Sequence, residues 1–334
     1  MTIRTSRHLV WLLVFIGLAV ITPARADIER RVEKNFNVSP GGWLYIDSDL
    51  GSIKVTSGTG NEVAITVAEI MDASSEKEAD RILQDLKLDF SVTGNEVRVT
   101  ARYDRDRFFN WINGRLKLRF AATVPAVYNV NLKTSGGSVS VEDLEGEAIS
   151  KTSGGSLTFG KIVGPVKGNT SGGSITLEGC KGKADLATSG GSIRIGRVDG
   201  NVMAGTSGGS IHIEAARGRV QASTSGGGIT VDEVFGEIDA STSGGSISAK
   251  ITKQPEGPCR LSTSGGSINV SLAPGIKVDL NASTSGGRVR SEIDVLVKGE
   301  MGHSSMRGQI NGGGPELYLR TSGGNININK TESL

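Results

Sequence analysis

The sequence predicts an all-β fold: a parallel β-solenoid (β-helix) of about 18-residue coils, right-handed, with an N-terminal β-rich cap carrying one short helix. Three observations predict it. The tetrapeptide Thr-Ser-Gly-Gly occurs ten times in 334 residues. Seven copies, at Thr134, Thr152, Thr170, Thr188, Thr206, Thr224 and Thr242, lie 18 residues apart, and Thr263, Thr284 and Thr321 follow at spacings of 21, 21 and 37. Apolar residues hold constant offsets within each unit, and glycine marks the same corners. A fixed period in this range means stacked copies of one supersecondary unit, each burying its apolar face against its neighbours.

The unit that begins at Thr188 shows how one coil is built. Counting Thr188 as zero, apolar residues fall at +5 (Ile193), +7 (Ile195), +10 (Val198), +14 (Val202) and +16 (Ala204). Ile211, Ile213, Ala216, Val220 and Ala222 occupy the same slots one unit on, and Ile229, Val231, Val234, Ile238 and Ala240 the next. Pairs two residues apart point to one face of a strand. Glycine at +2, +3 and usually +12 marks turns. Each unit therefore predicts two short strands and a brief third apolar contact. Threonine at zero should stack in an inward or corner ladder, with serine at +1 and +4 forming outward ladders. Left-handed hexapeptide helices carry apolar positions every six residues, which these offsets do not match. The right hand follows from the general handedness of parallel crossovers. Roughly ten to twelve coils at about 4.8 Å make a rod of roughly 50–55 Å.

Composition narrows the class. Glycine makes up 48 residues, but with a period of 18 rather than 3, which excludes collagen. Aromatic residues are only 4%, as expected of a thin aliphatic core. Residues 1–26 read as a signal peptide: Arg4 and Arg7 precede the apolar run Leu9 to Ile21, and Ala24-Arg25-Ala26 fits a cleavage site. The alternative is that this segment is kept as an anchor. Removing it takes away three arginines, leaving 34 basic against 35 acidic residues, a net charge of −1. A near-neutral rod carries no electrostatic footprint for nucleic acid. The expected location is outside the cytoplasm, in the periplasm, on the cell surface or in the medium.

Two cysteines in an exported chain raise the question of a disulfide. Cys180 fills a +10 slot and Cys259 a slot equivalent to +14, four coils away. That is roughly 19 Å at solenoid spacing, whereas a disulfide needs Cα atoms within about 7 Å. Both are expected to be buried small hydrophobes.

The chain divides into the signal peptide, a cap region at 27–125 continuous with the solenoid, and the repeat domain at 126–334. In the cap region, alternation predicts strands at Leu44-Tyr45-Ile46, Ile53-Lys54-Val55, Val63 to Ile70, Val97 to Tyr103 and Leu116 to Phe120. One helix is expected from Glu76 to Leu86, with Ser75 and Glu78 as a capping-box pair and Ala79, Ile82, Leu83 and Leu86 as its buried stripe. Extra residues at Lys250 to Gly257, at Ala273 to Ile276 and after Val289 follow the same strand of the unit. They should form either a lobe on one side of the rod or plain surface loops. The last copy, Thr321 to Lys330, should end the rod and leave a parallel edge. That edge is expected to be shielded by the insertion between Arg290 and Gly314 or to serve as a contact for self-association.

The combination resembles a known family. Leu50-Gly51-Ser52-Ile53-Lys54-Val55, Val124-Pro125 leading into Thr134-Ser135-Gly136-Gly137-Ser138-Val139, the regular repeats, and Asn311-Gly312-Gly313-Gly314-Pro315 before Thr321-Ser322-Gly323-Gly324-Asn325-Ile326 match its pattern. They make the chain similar to the bacterial putative-adhesin family of β-strand-repeat envelope proteins. That resemblance implies a β-solenoid on or outside the bacterial envelope. It brings no catalytic residues, because the shared motif is structural Gly, Ser, Thr and Ile.

No hydrolase, P-loop or zinc motif occurs, so no catalytic, metal or cofactor-binding residues are assigned and no cofactor is expected. The Gly-Gly-Ser-Ile turn offers no carboxylate, so calcium is not the stacking glue. Some β-helices cleave polysaccharides with outward acids and bases on neighbouring coils. Arg194, His212, Glu214 and Asp232 are the densest such set, read either as a cation or sugar-acid site or as solvated surface charge. Arg105, Arg107, Phe108, Phe109 and Trp111 form an aromatic, arginine-flanked stretch, either a contact loop for lipid head groups or protein, or a plug for the solenoid end. The leading expectation is an exported, non-enzymatic, structural or adhesive module binding an envelope protein or glycan. The alternatives are a polysaccharide-active β-helix enzyme and an envelope-stress or signalling accessory bound to a membrane partner.

Overall fold

Alternation within each repeat produces two facing sheets. The computed structural model describes residues 27–103, 115–297 and 302–331, so the signal peptide lies outside the described residues. Each coil contributes one strand to either sheet. In the unit starting at Thr188, Ile193–Val198 joins the first sheet and Val202–Gly205 the second. The +10 slot is thus the end of the first strand. It makes no third face, because Val198 still pairs with Cys180 and Ala216 in the same ladder.

One continuous core fills the space between the sheets. Ile175, Ile193, Ile211, Ile229 and Ile247 form one buried column in parallel register. Val202, Val220 and Ile238 face them from the second sheet. Between the sheets runs the threonine corner. The Thr206 hydroxyl donates to the Gly191 carbonyl of the previous coil at 2.8 Å and accepts the Gly209 N–H of its own coil at 3.4 Å. The contact to the neighbouring glycine carbonyl recurs from Thr134, reaching Gly51, onward. These hydroxyls are buried yet partnered, as buried polar groups must be. Outside, Ser192 Oγ accepts the Ser210 N–H at 3.2 Å, and the other serine steps repeat it. Cys180 and Cys259 are buried, unpaired and in opposite sheets. Burial pushes the Cys180 thiol up to about 11, which makes it a poor nucleophile.

The N-terminal strands are β1 (Ile28–Asn37), β2 (Trp43–Ser48), β3 (Ser52–Gly58) and β4 (Glu62–Met71). After helix α1 (Glu76–Leu83) come β5 (Leu86–Thr93), β6 (Glu96–Tyr103), β7 (Leu116–Pro125), β8 (Asn129–Thr134) and β9 (Val139–Val141). β2 and β3 form a coil of their own, pairing in parallel with β8 and β9, and Leu50-Gly51 makes its corner. Beyond them β7 and β6 still pair in parallel, while β4, β1 and β5 add antiparallel. The first sheet therefore runs β1-β4-β7-β3-β9 and the second β5-β6-β2-β8 before the regular coils start.

The helix is shorter than its periodicity suggests. Leu86 opens β5 opposite Tyr103, so ladder pairing takes the residues that would extend the helix. Ser75 Oγ accepts the Glu78 N–H at 3.3 Å as expected of a cap. The Glu78 carboxylate, however, accepts from Ser74 N–H and Oγ, both at 2.7 Å, and from Arg115. Arg115 foremost, with the Ser74 groups, holds the Glu78 carboxyl down to about 2, from an ordinary 4.5. A depressed carboxyl stabilises the fold above its ordinary range and loses that contribution as pH falls toward the folded value. Amide protection in residues 76–83 is therefore expected to hold at pH 5 and to fall progressively toward pH 2. Protection that stays constant over that range would remove Glu78 as the staple. The same pH profile in Glu78→Gln would do so too.

The far end differs from the order of the repeats. The last copy in sequence does not end the rod. Ile326–Lys330 lies between Ile268–Leu272 and Val289–Ser291, and Glu316–Thr321 between Cys259–Thr263 and Val278–Thr284. The hydroxyl contacts follow the same order, Thr321 to Gly266 and Thr284 to Gly324, each at 2.7 Å. No parallel edge is left at Thr321–Lys330, because both sides are paired. The Arg290–Gly314 insertion covers the Thr284 coil instead: Ser305–Ile310 adds antiparallel to Val278–Thr284, and Val295–Val297 follows it. The three insertions do share one side. Gln254 exchanges two hydrogen bonds with the Lys277 backbone, at 2.8 and 2.9 Å, and the Asn311 amide donates to the Ile276 carbonyl at 2.8 Å.

Candidate functional site

The parallel register places Arg194 beside His212 on the outer face of the first sheet. Charges there are matched from coil to coil. His212 Nε2 lies 3.2 Å from Asp232 Oδ2, and Glu214 Oε1 accepts from Arg197 Nε at 3.1 Å. Arg197, absent from the sequence-level set, thus takes the carboxylate that a lyase-like site would leave for substrate. Arg217 with Asp199 at 3.4 Å and Arg219 with Glu237 at 3.8 Å extend the pattern. Exposed pairs of this kind contribute little each. Among the described residues no three His, Cys, Asp or Glu side chains are grouped to hold a metal ion. Arg105, Arg107, Phe108, Phe109 and Trp111 lie outside the described residues.

A second group appears only in three dimensions. Trp43, Tyr45 and Asp47 alternate outward on β2, which sits between β6 and β8. The Trp43 and Tyr45 rings stack at 5.6 Å, and the Arg98 guanidinium from β6 lies 3.8 Å from the Tyr45 ring centre. Further along, Arg102 grips Asp47 with two bonds of 3.0 and 2.6 Å, and Lys133 of β8 lies 3.6 Å from the same carboxylate. The Arg102 hydrogen bond, against the opposing effect of burial, holds the Asp47 carboxyl below its usual range. Asp47, Asp49, Lys87, Arg102, Tyr103, Lys133 and Ser135 line a hollow of about 650 Å³. Sequence reading missed this group because Asp47 and Arg102 are 55 residues apart and meet only through the β2–β6 ladder. The available signal was the outward period-two pattern Trp43, Tyr45, Asp47, in a chain poor in aromatics.

These features define a two-sheet parallel β-solenoid with an antiparallel N-terminal cap and no recognisable catalytic constellation among the described residues. The chain belongs to the Toastrack DUF4097 family, whose model matches residues 44–329. No curated protein matches it. Among solved structures it is similar to a Parabacteroides distasonis protein described as a putative lipid-binding protein, with 14% identity over 90% of this chain and 97% of that one, at a TM-score of 0.40. A Bacteroides fragilis protein described as a putative adhesin has 14% identity over 90% of this chain and 97% of that one, with a TM-score of 0.28. A Clostridium sporogenes protein described as a putative cell adhesion protein has 11% identity over 90% and 100%, with a TM-score of 0.22. At these scores no ligand carries across. No helix of the described residues is long and apolar enough to cross a membrane.

Proposed function

We propose that the protein is an exported, non-enzymatic binding module of the bacterial envelope, structural or adhesive, which takes an envelope protein or glycan on the outer face of β2. The observation that carries this reading is the grouping of Trp43, Tyr45, Arg98, Asp47 and Arg102 on one outward surface. Aromatic faces beside guanidinium and carboxylate groups suit a partner that offers both rings or C–H faces and hydrogen-bonding groups. Family membership and the mutual pairing of His212 and Glu214 with neighbouring charges support a role without turnover.

The test is capture from envelope extracts and on a glycan panel, comparing the parent with Trp43→Ala and Arg102→Ala. Both variants should melt as folded proteins and lose capture by roughly ten-fold or more, as expected where a central aromatic or arginine anchors a contact. Undiminished capture would move the binding surface elsewhere. Purified protein should leave polyuronic acids unchanged with or without calcium, and turnover that vanishes in Glu214→Ala or Asp232→Ala would make it an enzyme.

A further inference from the structure

The two ends of the rod are finished differently. At the far end the edge strands are three residues long, Val289–Ser291 in one sheet and Val295–Val297 in the other, and short edges are a common block to strand addition. At the near end β1 spans ten residues, Ile28–Asn37, and pairs with β4 along its whole length on one side. Among the described residues nothing pairs with its other side. Counted from the β2–β3 coil, the first sheet carries three further strands and the second only two. β1 is therefore the outermost strand of its sheet at this end and the longer of the two near-end edges, the other being the eight-residue β5.

We propose that β1 is a self-association edge, where a second copy of this chain adds antiparallel about a two-fold axis through Val32 and joins the two first sheets into one. A two-fold interface uses the same strand from both copies, so it must be antiparallel and self-complementary. The sequence of β1 meets that condition along nearly its whole length in one register, 28–36, whereas an axis at Arg30 would pair only residues 28–32. Side chains directly opposite in an antiparallel pair share a face, so only registers whose paired numbers share parity keep the apolar side of β1 together. With Val32 opposite Val32, Ile28 meets Phe36, Glu29 meets Asn35 and Arg31 meets Glu33, each of the unlike pairs occurring twice. Shifting by one step in either direction sets Arg31 against Arg31 or Glu33 against Glu33 at the axis. Like charges directly opposite are destabilising and unlike charges favourable, so the charge pattern selects the central register.

The remaining like-charged pair in this register is Arg30 with Lys34. Arg30 is already engaged within its own copy, by Glu76 at 2.6 Å and Asp80 at 2.8 Å from α1, with Glu69 opposite it on β4. Arg31 can turn toward a second copy, since its described partner is the exposed Glu29 on the same strand, at 2.8 Å. Ile28, Val32 and Phe36 are half-buried in the single copy and would be covered further by the second. The far end offers no edge of comparable length, so association through β1 leaves no long edge there for further growth. This inference stands apart from the ligand surface on β2.

The test needs no added ligand: the solution mass of the full chain is measured by light scattering over rising concentration, for the parent and for charge variants of β1. The parent should reach the mass of two copies. Arg31→Glu sets a new carboxylate opposite Glu33 twice, and Glu33→Arg sets a new guanidinium opposite Arg31 twice. Each variant alone should therefore dimerise roughly ten-fold more weakly or not at all. Mixed together, the two variants present two glutamates against two arginines and should recover the two-copy mass, as should the double swap Arg31→Glu, Glu33→Arg. A parent that stays single at every concentration overturns the proposal. A pair of copies indifferent to the single charge changes, or single variants not rescued by mixing, overturns it as well.

Discussion

Ile211→Asp is expected to destabilise the rod by roughly 3–5 kcal/mol, because an unpaired buried charge has no partner to offset its desolvation. Ile211 is 1% exposed and sits in register between Ile193 and Ile229, with Val202 and Val220 on the opposite sheet also buried. Nothing in that column can hydrogen-bond a carboxylate. Because each coil touches only its neighbours, the damage should be local before it is global. Limited proteolysis is expected to open the chain between about Thr188 and Thr242, alongside a lowered melting temperature. Melting indistinguishable from the parent would show that Ile211 does not face the core.

The second large effect separates two adjacent glycines. Gly209→Ala is expected to cost about 3 kcal/mol or more, at or beyond the upper end for overpacking, whereas Gly208→Ala should cost about 1 kcal/mol or less. A Cβ on Gly209 would sit 2.2 Å from the Gly191 carbonyl oxygen of the coil below. That atom is backbone in a paired strand corner and cannot yield without parting the coils. A Cβ on Gly208 would lie 3.1 Å from the Gly190 oxygen, a contact that a few tenths of an ångström relieve. The same difference recurs at Gly190 and Gly191 and at Gly226 and Gly227. Chemical denaturation of the two variants side by side checks it. Equal losses would mean that the cost is conformational rather than steric.

The repeat was legible because every coil meets the same environment. Threonine, serine and the aliphatic slots therefore take the same neighbours each time, and the offsets of Ile193, Ile211 and Ile229 sufficed to place the core. The cap was only partly legible. Alternation in β2, β4, β6 and β7 marked them as strands, yet Leu86 fits a helical stripe and a strand face equally. Its fate was decided by pairing with Tyr103. Among the candidate site residues, His212 and Asp232 do meet, one coil apart. Arg197 lies opposite Ala215, one residue past Glu214, so its reach to Glu214 is 17 residues rather than the +18 step and spacing alone did not show it.

What the sequence determined by itself was everything periodic: the 18-residue coil, its two strands, the threonine corner and the glycine turns, since a local pattern repeated at constant spacing admits one way of stacking. What only the tertiary structure decided was everything that depends on distant segments choosing partners. The Thr321 coil lies inside the Thr284 coil because strand ladders select complementary edges and take no account of chain order, so a long insertion can carry one coil outward and let the next return beneath it. The Trp43 and Asp47 face exists because β2 pairs with β6 on one side and β8 on the other, which brings together Arg98 and Arg102 from one strand and Lys133, 35 positions after Arg98, from the other.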